Sequence, residues 1–253
     1  MSVLETQLRY WIAFVVTSVA SMLFFAALLF ILPWRQGRVR ACNFFGKTIG
    51  RFNIWISGAR LRVAHKERVE QSRPAIYISN HTSTLDIWMG MWICPYGGVG
   101  VAKKELVRVP FFGWLYWLSG HPLIDRSNRE RAIATLKDLA EFVHENGLSI
   151  WIWPEGTRSR SGELREFKKG VVHMAVATGL PIVPILVWGA QDIWPIKKVW
   201  ALRFRRAPLD LEVMEPVDTS GWTLDRVEEH RAELESRVRA QLALGRPPER
   251  AAP

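Results

Sequence analysis

The sequence predicts an α/β protein, a mixed sheet flanked by helices, with an N-terminal membrane-anchoring helical segment. Three observations predict it. After Gly58, strand-like and helix-like patterns alternate almost to the C-terminus. Between Arg9 and Arg35 lie 25 residues without a charge. Hydrophobic residues make up 49% of the 253 and charged residues 23%, which suits a chain with a sizeable core and excludes a disordered one.

The uncharged run is YWIAFVVTSVASMLFFAALLFILPW. As a helix it reaches about 37 Å, longer than a hydrocarbon core of roughly 30 Å. Tyr10 and Trp11 mark one end and Trp34 the other, in the manner of aromatic belts. A signal peptide would be shorter and would end in small residues, whereas this run ends Ile-Leu-Pro-Trp-Arg. Residues 1–9 carry Glu5 and Arg9, while residues 35–51 carry Arg35, Arg38, Arg40, Lys47 and Arg51 and no acid. The basic flank predicts a location in the cytoplasmic (inner) membrane with the bulk of the chain facing the cytoplasm. In ACNFFGKTIGRFNIWISG, Phe45, Ile49, Phe52 and Ile56 recur at helical spacing. This reads as an amphipathic helix lying on the membrane. A helix packed on the domain has the same periodicity, and a two-helix anchor embedded in one leaflet is also compatible. Residues 1–58 are thus expected to form the anchor, 59–245 one catalytic domain and 246–253 a disordered tail.

Within the domain, 60–65, 75–79, 97–102, 148–153, 181–188 and 209–215 read as strands. Residues 129–145 form a helix with Ile133, Leu136, Ala140 and Val143 as its apolar stripe, stopped by Asn146-Gly147. Residues 168–178 form another, ended by Gly179. Residues 222–244 form a charged amphipathic helix with Leu224, Val227, Leu234 and Val238 inward.

The formal net charge of +10 suits nucleic acid, an anionic membrane or phosphate-bearing ligands. Two cysteines cannot build a disulfide framework or a four-cysteine zinc site, and 13 tryptophans favour a surface apolar at one end and wet at the other. No G-x-S-x-G elbow, P-loop, H-E-x-x-H or Cys/His cluster is present. No nucleic-acid-binding motif is recognised either, so nucleic acid is not an expected partner.

The chemistry-bearing residues follow apolar strands, where α/β folds handle ligands. Asn80-His81-Thr82-Ser83-Thr84-Leu85-Asp86 comes directly after AIYIS. On an ideal helix His81 and Asp86 would stand some 140° apart. They can meet only if His81 lies in the turn ahead of the helix, where Asp86 could hold one imidazole nitrogen and leave the other as a base. A helix-capping histidine with a solvated aspartate has the same spacing. Trp153-Pro154-Glu155-Gly156-Thr157-Arg158-Ser159-Arg160-Ser161-Gly162 follows LSIWIW, and Lys168-Lys169 comes soon after. Arginines between glycines and hydroxyls suit an oxyanion or phosphate, or a plain basic surface loop. Lys103-Lys104-Glu105-Leu106 and Ile124-Asp125-Arg126-Ser127 add two further clusters.

NHTSTLD, KKEL…PFFG…GHPLIDR, WPEGTRSRSG and LPIVPI together resemble the four ordered blocks of the glycerophospholipid acyltransferases, over roughly residues 75–190. The likeness is nearest to the 1-acyl-sn-glycerol-3-phosphate (lysophosphatidic acid) acyltransferases. The resemblance implies an enzyme that moves an acyl group from a thioester to the sn-2 hydroxyl of lysophosphatidic acid, forming phosphatidic acid. It makes His81 the general base and Asp86 its orienting carboxylate. It assigns Glu155, Gly156, Thr157 and Arg158 to the glycerophosphate acceptor, and Lys104 and Arg126 to its phosphate. Pro184 matches the fourth block, tied to the acyl donor or to shaping the site. Trp153 and Leu123 stand where the family often has Phe. The implied partners are lysophosphatidic acid, membrane lipids, and acyl-CoA or acyl-acyl carrier protein as co-substrate, with no metal and no resident cofactor. The same blocks would serve an enzyme for another lysophospholipid, glycerol 3-phosphate or an ornithine lipid. A basic membrane-tethered binding protein is the alternative of a different class.

Overall fold

The computed structural model describes residues 1–125 and 128–247. Two long helices come first, α1 (Val3–Leu29) and α2 (Arg35–Ile56). The domain then runs β1 (Ala59–Ala64), α3 (Glu67–Gln71), β2 (Ile76–Ser79), α4 (Leu85–Ile93), β3 (Gly98–Gly100), β4 (Ala102–Lys103), α5 (Phe112–Leu118), β5 (Leu123–Ile124) and α6 (Arg129–Asn146). It continues with β6 (Ser149–Ile152), α7 (Gly170–Thr178), β7 (Ile182–Trp188), α8 (Ala190–Ile193), β8 (Ala207–Val213) and α9 (Val227–Ala243).

Six strands form the main sheet in the order β1-β8-β7-β2-β6-β3. All neighbours are parallel except β7 and β8. Both faces are covered, so the central strands are apolar without interruption. Ile76 and Ile78 of β2 pack with Leu139, Val143, Val172 and Leu234 from α6, α7 and α9. The intervening Tyr77 packs on the other face with Leu85, Met89 and Ile93 of α4. Pro184 does not interrupt β7. It lies between the Ile182–Val217 bridge and the β8 pairing that begins at Ile185–Val213, and its carbonyl accepts the Met214 N–H at 2.9 Å. A proline is tolerated there because no ladder bond needs its missing donor.

Several expectations are corrected. The run 97–102 splits: Gly98–Gly100 joins the main sheet, while Ala102–Lys103 pairs with β5 in a separate two-stranded ribbon. The last helix starts at Val227, which leaves Leu224 exposed rather than inward; Val227, Leu234 and Val238 are buried. In α6, Ala140 and Val143 are buried and the Ile133 side chain lies outside the described residues. Gly147 and Gly179 end α6 and α7 in the left-handed conformation, at φ 57° and 65°. Of the tail, Arg246 reaches Asp192 and Asp210 at 3.5 Å, and residues 248–253 lie outside the described residues.

The second helix departs most from its reading. Phe45, Ile49 and Ile56 of α2 are buried, packed against the rest of the protein rather than turned toward a membrane. Phe44 and Trp55 point outward instead, 60% and 68% exposed. Nor is α1 a free stalk. At its start, the Phe204 N–H donates to Thr6 Oγ1 and Gln7 Nε2 to the Val199 carbonyl. At its middle, Asn53 Nδ2 donates to Thr17 Oγ1. At its end, Leu28 joins Leu115 and Leu118 of α5. The helix therefore lies along the domain over its whole length, with Leu4, Leu8, Trp11, Val15 and Leu23 outward.

Candidate active site

The register of β2 and β6 builds the site. Ile78 pairs with Ile152, so His81 and Glu155 each stand three residues beyond the same rung of the sheet. Both parallel strands thus deliver their polar loops to one carboxyl-terminal edge.

His81 lies in the loop ahead of α4, and Asp86 in the first turn of that helix. The chain folds back so that His81 Nδ1 and Asp86 Oδ2 are 2.9 Å apart. The same oxygen accepts the Thr82 and Ser83 N–H groups at 2.6 and 2.8 Å. Both donors belong to loop residues just ahead of the helix, whose N-cap is Thr84. Asp86 is fully buried. With Nδ1–H donating to it, the lone pair is on Nε2, the arrangement a general base needs. The Trp153 indole stacks on the imidazole, with ring centroids 4.7 Å apart and planes 20° from parallel. The sequence could not show that the residue standing in for Phe packs flat against the imidazole.

Glu155 is also buried, but its carboxylate is spent on the backbone. Oε1 accepts the His81 N–H at 2.6 Å and Oε2 the Arg165 N–H at 2.9 Å. Burial pushes its pKa up to about 7, although both hydrogen bonds pull the other way. Two more bonds join the loops: the Ser159 N–H donates to the His81 carbonyl at 2.7 Å, and Arg158 Nη1 to Thr84 Oγ1 at 2.6 Å. Asn80, unassigned in the sequence, clamps β2 to β7 by exchanging two 2.9 Å bonds with the Val187 backbone.

His81 faces a cavity of about 710 Å³. Its polar part holds Glu155, Gly156, Thr157, Arg158, Arg165 and Lys168; its apolar part runs between α2, α4 and α5. Gly156 takes φ 71°, a conformation that β-carbon-bearing residues rarely adopt, and so lets the loop turn beside His81. Arg165 carried no sequence signal that set it apart from the basic residues around it. Lys104 is absent from the lining and pairs with Asp125 at 2.6 Å, whereas its neighbour Lys103 does line the cavity. Arg126 lies outside the described residues. Among the described residues no group of three His, Cys, Asp or Glu side chains is placed to hold a metal ion.

An imidazole set by a buried carboxylate, opening on a cavity that is cationic at one end and apolar at the other, suits proton abstraction from an alcohol on an amphiphilic phosphate. The family profile described as Acyltransferase matches residues 60–188, which include all of this loop constellation. The chain belongs to the acyltransferase family. It is 37% identical over 228 residues to the 1-acyl-sn-glycerol-3-phosphate acyltransferase of Limnanthes douglasii, covering 90% of this chain and 79% of that one. It is 35% identical over 199 residues to the enzyme of the same name from Escherichia coli (strain K12), covering 79% of each. The crystal structure of the 1-acyl-sn-glycerophosphate (LPA) acyltransferase from Thermotoga maritima superposes with a TM-score of 0.74, at 25% identity and 97% coverage of both chains. An acyltransferase of this architecture is an enzyme, which sets aside the binding-protein reading.

Proposed function

We propose that this acyltransferase moves a fatty acyl group from an acyl thioester, acyl-CoA or acyl-acyl carrier protein, to the sn-2 hydroxyl of 1-acyl-sn-glycerol 3-phosphate. The observation that carries this is the His81–Asp86 pair opening on one cavity with Arg158, Arg165 and Lys168. His81 Nε2 takes the proton of the hydroxyl as its oxygen attacks the thioester carbonyl. Asp86 holds the tautomer and stabilises the imidazolium that forms. The tetrahedral intermediate collapses and the thiol leaves, taking a proton from the imidazolium. No acyl-enzyme is formed, because the attacking oxygen is the acceptor's own. Arg158, Arg165 and Lys168 neutralise the phosphate, with arginine able to donate in a two-pronged manner. Glu155 takes no phosphate; it holds His81 and Arg165 by their backbones. The reaction so written needs no metal or redox group.

The chain works at the cytoplasmic face of the inner membrane, with α1 and the outer edge of α2 in one leaflet. The support is the 27-residue apolar helix, only 22% of whose most apolar window is buried, docked to the domain at both ends. A helix held along its length by the domain is poorly placed to cross a bilayer alone.

The test is product formation by purified protein from labelled lysophosphatidic acid with each donor, beside His81→Ala and Arg158→Ala. We expect phosphatidic acid from the wild type, a loss of about 10²–10⁴-fold in kcat with His81→Ala, and a raised acceptor KM with Arg158→Ala. Strong preference for a phosphate-free acceptor, or undiminished turnover by His81→Ala, would overturn the reading.

A further inference from the structure

Helix α5 has two faces with different tasks. Phe112, Leu115, Tyr116 and Ser119, at its end, line the cavity. Trp114 and Trp117 stand on the opposite side, 47% and 61% exposed. They are three residues apart and therefore neighbours on the helix surface. The turn ahead of α5 packs on it and carries two more exposed residues, Arg108 and Val109, the latter 42% exposed. Among the described residues the Phe111 ring meets Trp114 edge-on, 5.4 Å between centroids, and the outer parts of both indoles stay exposed.

Helix α5 packs against α1. Leu115 and Leu118 share one apolar cluster with Phe24, Phe25 and Leu28 from the C-terminal half of α1. Just beyond that half, Arg35 Nε donates to the Gly120 carbonyl at the end of α5. The exposed tryptophans therefore sit beside the part of α1 that ends in Phe30 and Trp34, 90% and 57% exposed. Tryptophan bodies next to cations fit the level of lipid headgroups, where the ring is buried and the N–H stays wet. Phe111, at the entry to α5, takes φ 62°, a conformation that bulky residues rarely adopt.

We propose that α5 is a membrane-inserted element in its own right, with Trp114 and Trp117 in an anionic leaflet, and that its insertion admits the membrane-borne acceptor to the cavity. It rests on the function proposed above for the word acceptor, but not for the insertion itself. One wall of the cavity is the inner face of α5 and the facing wall is α2 and α4, through Phe45, Gly46 and Met91. With α1 and the outer edge of α2 also at the bilayer, the apolar cavity is flanked by lipid-facing helices on two sides. A monoacyl lipid can then pass sideways without exposing its chain to water.

Cys42 and Cys94 are the two native thiols and both line the cavity, so the label is placed in a Cys42→Ala/Cys94→Ala background, where a new surface cysteine reacts alone. Trp117→Cys carrying an environment-sensitive dye is mixed with vesicles of phosphatidylglycerol and phosphatidylcholine. Glu233→Cys on α9 serves as the control position. We expect a blue shift and quenching by bromine-labelled acyl chains at position 117 and neither at 233. A dye at 117 that stays water-exposed while the protein is vesicle-bound would overturn the proposal, whatever the enzyme's substrate. In the second arm, Trp114→Ser/Trp117→Ser is assayed on long-chain acceptor in vesicles and on a short-chain, water-soluble one. KM for the first is expected to rise at least tenfold and kinetics on the second to stay unchanged. Equal loss on both would make α5 merely structural; no activity on either by the wild type would sink the functional reading and leave the insertion standing on the dye.

Discussion

The buried Glu155 carboxylate accepts the backbone N–H of His81 at 2.6 Å, so the imidazole is located by a glutamate that does not touch its ring. The residue that the family resemblance ties to the acceptor binds backbone donors on two loops. Its pKa, pushed up to about 7, makes its protonation depend on pH near neutrality.

Glu155→Gln should separate these roles. The folded carboxyl has its pKa raised from 4.5 to about 7, so between those values the folded state binds more protons than the unfolded one. Its contribution to stability is full below pH 4.5 and falls as pH rises toward 7. Across that window the wild type should lose Tm relative to Glu155→Gln, which cannot titrate. A parallel pair of Tm-against-pH curves would refute the raised carboxyl. Turnover of the variant should also drop about tenfold, since an amide offers only one acceptor for two N–H groups.

Asp86→Asn should leave the loop bonds intact and remove the charge beside the imidazole. An amide oxygen in the place of Oδ2 can still accept from Thr82, Ser83 and Nδ1–H, so what is lost is the stabilisation of the imidazolium. A fall in kcat of about 10²–10⁴-fold is expected, with Tm changed little. Equal loss of kcat and Tm would mean that the carboxylate is needed chiefly for folding.

Trp153 gives a graded prediction. Phe keeps a flat ring against His81 and should retain activity within a few-fold. Ala removes a stacked contact of the order of 0.5–1.5 kcal/mol and frees the imidazole, so kcat should fall about tenfold while the acceptor KM barely moves. A change confined to KM would point to substrate packing instead.

Gly50→Ala tests the close contact of α2 with α4. A β-carbon there would stand 2.5 Å from the Trp88 carbonyl oxygen and 3.0 Å from the Trp92 nitrogen, both backbone atoms of α4. Separation of α2 from α4 should cost about 1–3 kcal/mol, read as a lower Tm. Since α4 carries Asp86, activity should fall as well.

The alternation of apolar runs with turn residues determined the α/β class, and charge-free length determined α1. NHTSTLD and WPEGTRS, each directly after an apolar strand, marked the His81 loop and the Glu155–Arg158 loop as the places for chemistry. These are local properties, written into residue type and spacing. What only the tertiary structure decided depends on partners distant in sequence. The β2–β6 register set Glu155 under His81, and the carboxylate became a brace once both its oxygens met backbone donors. Lys104 turned to Asp125 and Lys103 took the cavity wall, a choice between adjacent lysines that depends on where β4 and β5 pair. Periodicity marked the Phe45 stripe of α2 as apolar, but only the presence of α1, α4 and α5 made the protein interior, not lipid, its covering. A helix face records that it must be hidden from water; what hides it is fixed by the rest of the chain.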